Sequence, residues 1–302
     1  MNAGTFWLAS YPKSGNTWFR AFLANLLNEA DTPVSINELH TGQIASARGW
    51  IDDVLGFDTA DLSPQEILRL RPIAYDWLFR DATQYAYHKI HDAFLSVEGE
   101  QEGRPLFAGG DILGAVYFVR NPLDVAISYA HHCSVSIDQA IAFMADANHC
   151  MAKSERRLVE QLAQPLLTWS QHVLSWVDAS HIPVLTIRYE DMHADGHNTF
   201  ARAAAFLRQP HDAARIEKAM QQSSFEELKQ QELRDGFRER SQKAESFFRN
   251  GKVGDWRERL SPQQIEKIIA DHFEVMRRFD YVDGDGAPIC PEFPLPAGEG
   301  RI

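Results

Sequence analysis

The stretch TFWLASYPKSGNTWFRAFLANLLN, residues 5–28, decides the fold class. Its first six residues, TFWLAS, are apolar on both faces and carry aromatic side chains, as a strand covered on both sides should. From Thr17 to Asn28 the spacing of Trp18, Phe22 and Leu26 by four predicts an amphipathic helix. Between them lies PKSGN, with one Lys, one Gly and small polar residues. In a strand–loop–helix unit, the first backbone N–H groups of the helix and its dipole converge on an anion. Gly15 allows close approach, Ser14, Asn16 and Thr17 offer further donors, and Lys13 adds a full charge. Taken alone, K-S-G-x-T fits a surface turn with a solvated Lys equally well.

Further strand-like runs are AYHKI (86–90), AVYFVR (115–120) and PVLTIR (183–188). Helical patterns separate them: SPQEILRLRPIAYDWLF from Ser63, PLDVAISYAHH (122–132) and QPLLTWSQHVLSWVDA (164–179). Pro72 should break or kink the first of these. Beyond the last strand helices dominate, with HNTFARAAAFLRQ, DAARIEKAMQQ and SPQQIEKIIADHFEVMRRF (261–279). Strands alternating with helices predict an α/β fold: a central parallel sheet flanked by helices, with a helix-rich C-terminal part. The expected domain covers residues 4–283, and the Pro- and Gly-rich tail, residues 284–302, is expected to be irregular.

At 302 residues without a composition break, one domain is expected. The net charge of −12 argues against a nucleic-acid partner, so any bound anion must be held by a local cationic cluster. Three cysteines, Cys133, Cys150 and Cys290, are too few and too scattered for a disulfide framework. With no transmembrane run and no room for a leader before the first strand, the expectation is a soluble cytoplasmic protein.

The common nucleoside-triphosphate loop, G-x-x-x-x-G-K-[ST], places Lys directly after its second Gly. Here Lys13 precedes Gly15 and the first Gly is missing. A second acidic ligand for magnesium cannot be assigned, so a P-loop small-molecule kinase remains only the alternative, beside a nucleotide-binding protein without catalysis. Three other stretches carry chemistry. In YFVRNPLDVAISYAHH (117–132), Arg120 emerges at a strand end as a phosphate fork, and Ser128 lies about two turns along the next helix. FFRNGKVGDW (247–256) is a glycine-bearing loop with Arg249 and Lys252. In AYHKIHDAF (86–94), Lys89 and His91 share one face of an extended segment. Singly, a surface ion pair, a solvated basic loop and a structural histidine account for them.

YPKSGNTW resembles the donor loop of the sulfotransferases that use 3′-phosphoadenosine 5′-phosphosulfate (PAPS), close to Y-P-K-S-G-T-T-W, with Asn16 where Thr is more usual. The Arg120 run is similar to the family's R-N-P-x-D-x-x-x-S-Y, and FFRNGKVGDW to R-K-G-x-x-G-D-W, with Asn250 in place of Lys. Lys89-Ile90-His91 stands where the family has K-T-H. These matches span roughly residues 6–256, most of the chain. The resemblance implies a fold like that of P-loop proteins and transfer of the sulfuryl group from PAPS, leaving the 3′,5′-bisphosphate PAP, without a metal. It implies His91 as general base, Lys13 on the leaving phosphate and Lys89 on the sulfuryl oxygens. Lys13, Ser14, Gly15, Asn16 and Thr17 would hold the 5′-phosphate side, and Arg120, Ser128, Arg249, Asn250 and Gly251 the 3′-phosphate. Trp18, Tyr189 in RYEDM and Phe225 in SSFEEL would line the adenine. The acceptor, a small molecule or a glycan carrying a hydroxyl or less favoured amine, is not legible. Many relatives dimerise through K-x-x-x-T-V-x-x-x-E; here RERLSPQQIE (257–266) puts Pro262 at the Val position, so a homodimer of that kind is in doubt.

Overall fold

The computed structural model describes residues 3–39, 41–80, 82–97, 104–107, 109, 111–154, 158–179, 181–240 and 246–289. Strands β1 (Thr5–Ser10), β2 (Ala86–Ile90), β3 (Ile112–Val119) and β4 (Val184–Arg188) form a four-stranded sheet in the order β2-β1-β3-β4, parallel throughout. The period of two within a strand sends alternate side chains to different cores. Trp7 and Ala9 of β1, with Ala115, Tyr117 and Val119 of β3, enter one apolar cluster; Phe6 and Leu8, with Val116 and Phe118, enter another. Burial on both faces explains why these strands read as continuous apolar runs.

Helix α1 (Asn16–Leu27) follows β1, and α2 (Arg48–Leu55) and α3 (Pro64–Phe79) precede β2. Ser63 and Glu66 close a reciprocal capping box at the start of α3, as their spacing predicts. The helix does not end at Pro72. An internal proline costs about 3 kcal/mol, and the buried row Arg71, Pro72, Ala74, Tyr75 and Phe79 holds α3 in place despite it. After β3 come α4 (Pro122–Cys133), α5 (Ile137–Ala145) and α6 (Trp169–Val177). The helix expected over 164–179 is therefore shorter. Gln164–Pro165 pairs antiparallel with Cys150–Met151, and Leu167 takes a left-handed φ of 60° that interrupts any helix. Thr168 then caps α6 in a box with Gln171.

The C-terminal part is helical, as expected: α7 (Tyr189–Ala194), α8 (Gly196–Phe206), α9 (Ala213–Gln222), α10 (Phe225–Asp235), α11 (Trp256–Arg259) and α12 (Pro262–Arg278). A third cluster, including Ala21, Ala24, Leu228, Phe237 and Phe248, packs α10 and the segments after it against α1. That packing brings the loop at 247–256 over the end of the sheet. Of the C-terminal tail, residues up to 289 are described and carry no helix; Cys290 lies outside the described residues. Among the described residues no helix is long and apolar enough to cross a membrane.

Candidate active site

A cavity of about 680 Å³ opens at the carboxyl ends of the strands. β1 has β2 on one side and β3 on the other, so the crevice is a topological switch point, where open parallel sheets bind ligands. Each strand delivers a residue there: β1 leads to Lys13, β2 to His91, β3 to Arg120 and β4 to Tyr189. Lys89, Ser128, Trp18, Phe225, Gly15, Asn16, Thr17, Arg249, Asn250 and Gly251 line the same space. Ser14 is buried beside it, and its Oγ has no hydrogen-bond partner. The structure thus gathers motifs that are far apart in sequence around one volume.

The turn after β1 is unusual backbone. Lys13 has φ 70° and Gly15 φ 99°, so the chain reverses sharply to aim the N-terminus of α1 at the cavity. Gly15 is needed twice, for its left-handed φ and because a Cβ there would lie 2.7 Å from the Tyr189 ring. The Asn16 side-chain amide is engaged with β1, donating to Leu8 O at 2.7 Å and to Ser10 Oγ at 3.3 Å. The Lys13 ammonium lies 3.7 Å above the Phe247 ring. Burial first, then the neighbouring charges of Lys89 and Arg120, lower its pKa to about 7.

His91 is buried, and its Nδ1 lies 2.9 Å from the carbonyl of Ser10. A carbonyl only accepts, so Nδ1 carries the proton and Nε2 is the basic nitrogen left for the cavity. Burial, with Lys89 second, holds the imidazole pKa well below its ordinary value, so the ring stays neutral. Its backbone is pinned: the His91 carbonyl accepts from His172 Nε2 at 2.9 Å, and the next residue, Asp92, pairs with Arg71 at 2.6 Å.

Arg120 joins the first turn to the last loop. One terminal nitrogen donates to Lys13 O at 3.1 Å and the other to Lys252 O at 3.0 Å, while the guanidinium lies 4.2 Å over the Tyr189 ring. Its Nε is buried without a partner. Trp18 meets Tyr189 edge-on at 5.8 Å, and a Cβ on Gly251 would lie 2.3 Å from the Phe225 ring. The Tyr189 hydroxyl donates to Gly251 O at 3.1 Å. Arg249 and Asn250 both donate to Asp255, at 2.8 and 3.3 Å.

The sequence reading missed the groups that hold the loop down. Asp124 accepts from the N–H groups of Gly254 and Trp256 at 2.8 and 3.0 Å, and Glu232 from those of Phe247 and Phe248 at 2.7 and 2.8 Å. It also missed Arg20, Glu239 and His132, which line the cavity. Asp124 stands within the quoted R-N-P-x-D run and offered a signal; Glu232, Arg20 and Glu239 offered none at short range.

Comparison with known proteins identifies the family. A family model described as the sulfotransferase domain matches residues 113–280, more than half of the chain. The chain is 26% identical over 278 residues to a flavonol 3-sulfotransferase of Flaveria bidentis, covering 86% of this chain and 78% of that protein. It is 26% identical over 286 residues to cytosolic sulfotransferase 17 of Arabidopsis thaliana, covering 87% and 71%. Among solved structures it resembles mouse sulfotransferase SULT7A1 complexed with PAP, with a TM-score of 0.56, 20% identity and coverage of 91% and 86%. It also resembles a retinol dehydratase in complex with androsterone and PAP, with a TM-score of 0.59, 20% identity and coverage of 93% and 83%. The α/β fold expected from the sequence is the fold of these proteins, and the chain belongs to the sulfotransferase domain family as a sulfotransferase.

Proposed function

We propose that this sulfotransferase takes the sulfuryl group of PAPS and delivers it to a hydroxyl of a small-molecule acceptor, with residues 4–283 acting as one catalytic domain. One observation carries the reading: Lys13, Lys89, His91 and Arg120 converge on one cavity at the ends of parallel strands. The donor set fits a bis-anionic nucleotide, since the Ser14 hydroxyl and Arg120 Nε are buried there without partners. Such groups cost free energy unless a ligand satisfies them. PAP is present in the solved complexes of the two structural neighbours, which supports the choice of nucleotide.

In this reading the 5′-phosphate sits at the turn of Lys13, Ser14, Gly15, Asn16 and Thr17. Asn16 contributes its backbone N–H, because its side-chain amide is engaged with β1. Arg120, Ser128, Arg249, Asn250 and Gly251 hold the 3′-phosphate, and Trp18, Tyr189 and Phe225 enclose the adenine. His91 Nε2 takes the proton of the acceptor hydroxyl as its oxygen bonds to sulfur. The bond from sulfur to the bridging phosphate oxygen breaks, and its electron pair stays on that oxygen. Lys13 stabilises the resulting charge, and Lys89 holds the sulfuryl oxygens. A pKa near 7 leaves Lys13 poorly charged in the free enzyme, and the donor's phosphate restores the charge. A sulfuryl group carries less negative charge than a phosphoryl group, so these cations and the backbone donors suffice in the reading. A cytoplasmic location belongs to it too, supported by the plant relative named as cytosolic.

The test combines binding and turnover. PAP at roughly 100 times its dissociation constant should stabilise the fold by about 2.7 kcal/mol. Labelled sulfate should pass from PAPS to members of a panel of alcohols and phenols. A thermal shift with ATP and magnesium but none with PAP would overturn the reading, and labelling of amines alone would overturn the hydroxyl acceptor.

A further inference from the structure

Lys89, placed above on the sulfuryl oxygens, is already occupied. Its ammonium donates to Glu239 Oε2 at 2.9 Å, and the other carboxylate oxygen of Glu239 accepts from Arg20 at 2.7 Å. Arg20 is buried on α1 and fixed from its far side by Nε, which donates to Thr41 Oγ1 at 2.8 Å. All four residues line the cavity. Glu239 is the most exposed of the ion-paired three, with 33% of its side chain accessible, against 15% for Lys89 and 7% for Arg20. Arg20 is therefore a fixed anchor, and the Glu239 carboxylate is the group with room to swing off Lys89.

We propose that Glu239 is the counter-ion that the donor's sulfuryl group displaces from Lys89, which makes it a residue that discriminates between the two nucleotides by weakening PAPS relative to PAP. The inference rests on the proposed donor and on Lys89 as its sulfuryl contact. Two oxyanions brought to one largely buried ammonium repel each other and compete for it. An incoming sulfuryl group thus drives the Glu239 carboxylate off Lys89, while Arg20 keeps hold of it. PAP carries both phosphates and no sulfuryl group, so it binds without breaking the Lys89–Glu239 pair. When the sulfuryl group has moved to the acceptor, the carboxylate returns to Lys89, and this return favours the transferred state over the starting one.

The test is calorimetric titration of the full chain with PAPS and with PAP, without acceptor, for the wild type, Glu239→Gln and Glu239→Ala. Removing the carboxylate should tighten PAPS about tenfold, a change of roughly 1.4 kcal/mol, and alter PAP binding less than twofold. In a Lys89→Ala background the same substitutions should change neither nucleotide. Equal tightening of both nucleotides would reduce Glu239 to a general charge in the cavity and overturn the proposal. Weaker PAPS binding in Glu239→Gln would overturn it as well, since the carboxylate would then be positioning Lys89 for the donor. Wild-type protein that binds neither nucleotide would fail the proposed function and the inference together, whereas PAP binding without the tenfold effect would fail the inference alone. Two substitutions at the one-third-exposed position, each checked for an unchanged melting temperature, separate these outcomes from misfolding.

Discussion

Lys13, His91 and Arg120 stand one to three residues beyond strands of a sheet buried on both faces, so their backbone positions are set by the same ladder that holds the core. Arg249, Asn250 and Gly251, on the other side of the cavity, lie in a loop without regular structure. That loop is held by two carboxylates from other elements, Glu232 at its start and Asp124 at its end. The floor is rigid because the fold is; the roof is tied on. Chemistry that needs sub-ångström alignment is best built on such a floor, and in the proposed reading nucleotide entry and exit fall to the roof.

If the floor carries the chemistry, His91→Ala gives the largest effect. Transfer should fall about 10²- to 10⁴-fold, the range for loss of a general base, while PAP affinity measured by calorimetry stays within a few-fold of wild type. An equal loss of PAP binding would mean that His91 shapes the nucleotide site instead. Releasing the roof should come next. Asp124→Ala strands two N–H groups that now bond to a carboxylate, and hydrogen bonds to charged groups contribute about 1.5–3 kcal/mol each. PAP should bind ten- to a hundredfold more weakly, with transfer at saturating PAPS reduced much less. A matching loss at saturation would show that the roof also aligns the reacting atoms.

The smallest effect probes the seam between floor and roof at Lys13. Burial, Lys89 and Arg120 lower its free-enzyme pKa to about 7, and a phosphate bound beside it, as proposed, would raise it again. Near and above pH 7 PAP binding should take up a proton, close to one near pH 8 and almost none near pH 6. Affinity should accordingly decline by less than tenfold from pH 7 to pH 8. Calorimetry in two buffers of different ionisation enthalpy reads the uptake directly; its absence would place Lys13 fully charged before the nucleotide arrives.

The same contrast governs what could be read from the amino acids. Sheet strands are legible because burial on two faces leaves unbroken apolar runs, and the floor residues follow them at short range. The extent of α3 was legible from its cap and apolar pattern, but whether Pro72 would break it was not, because tertiary packing overrides a local cost. The late start of α6 was missed because strand pairing by Gln164–Pro165 depends on a partner at Cys150–Met151. Nothing in the sequence around Glu232 or Glu239 marks either residue. Their partners lie 15 and 16 residues away for Glu232 and 150 and 219 for Glu239, in elements whose approach no local pattern announces.

The bonds from Asp124 to Gly254 and Trp256 span 130 and 132 residues, and this separation bears on when the protein gains its ligand. All four strands of the sheet are complete in sequence by Arg188, so a chain emerging from the ribosome has every strand before the loop at 247–256 is made. Contacts at such sequence distances close late, since loop-closure entropy must be overcome first. The sheet's ladders and the apolar burial on one of its faces therefore involve residues that precede the loop at 247–256, and the Asp124 bonds that hold this loop over the cavity become possible only after them.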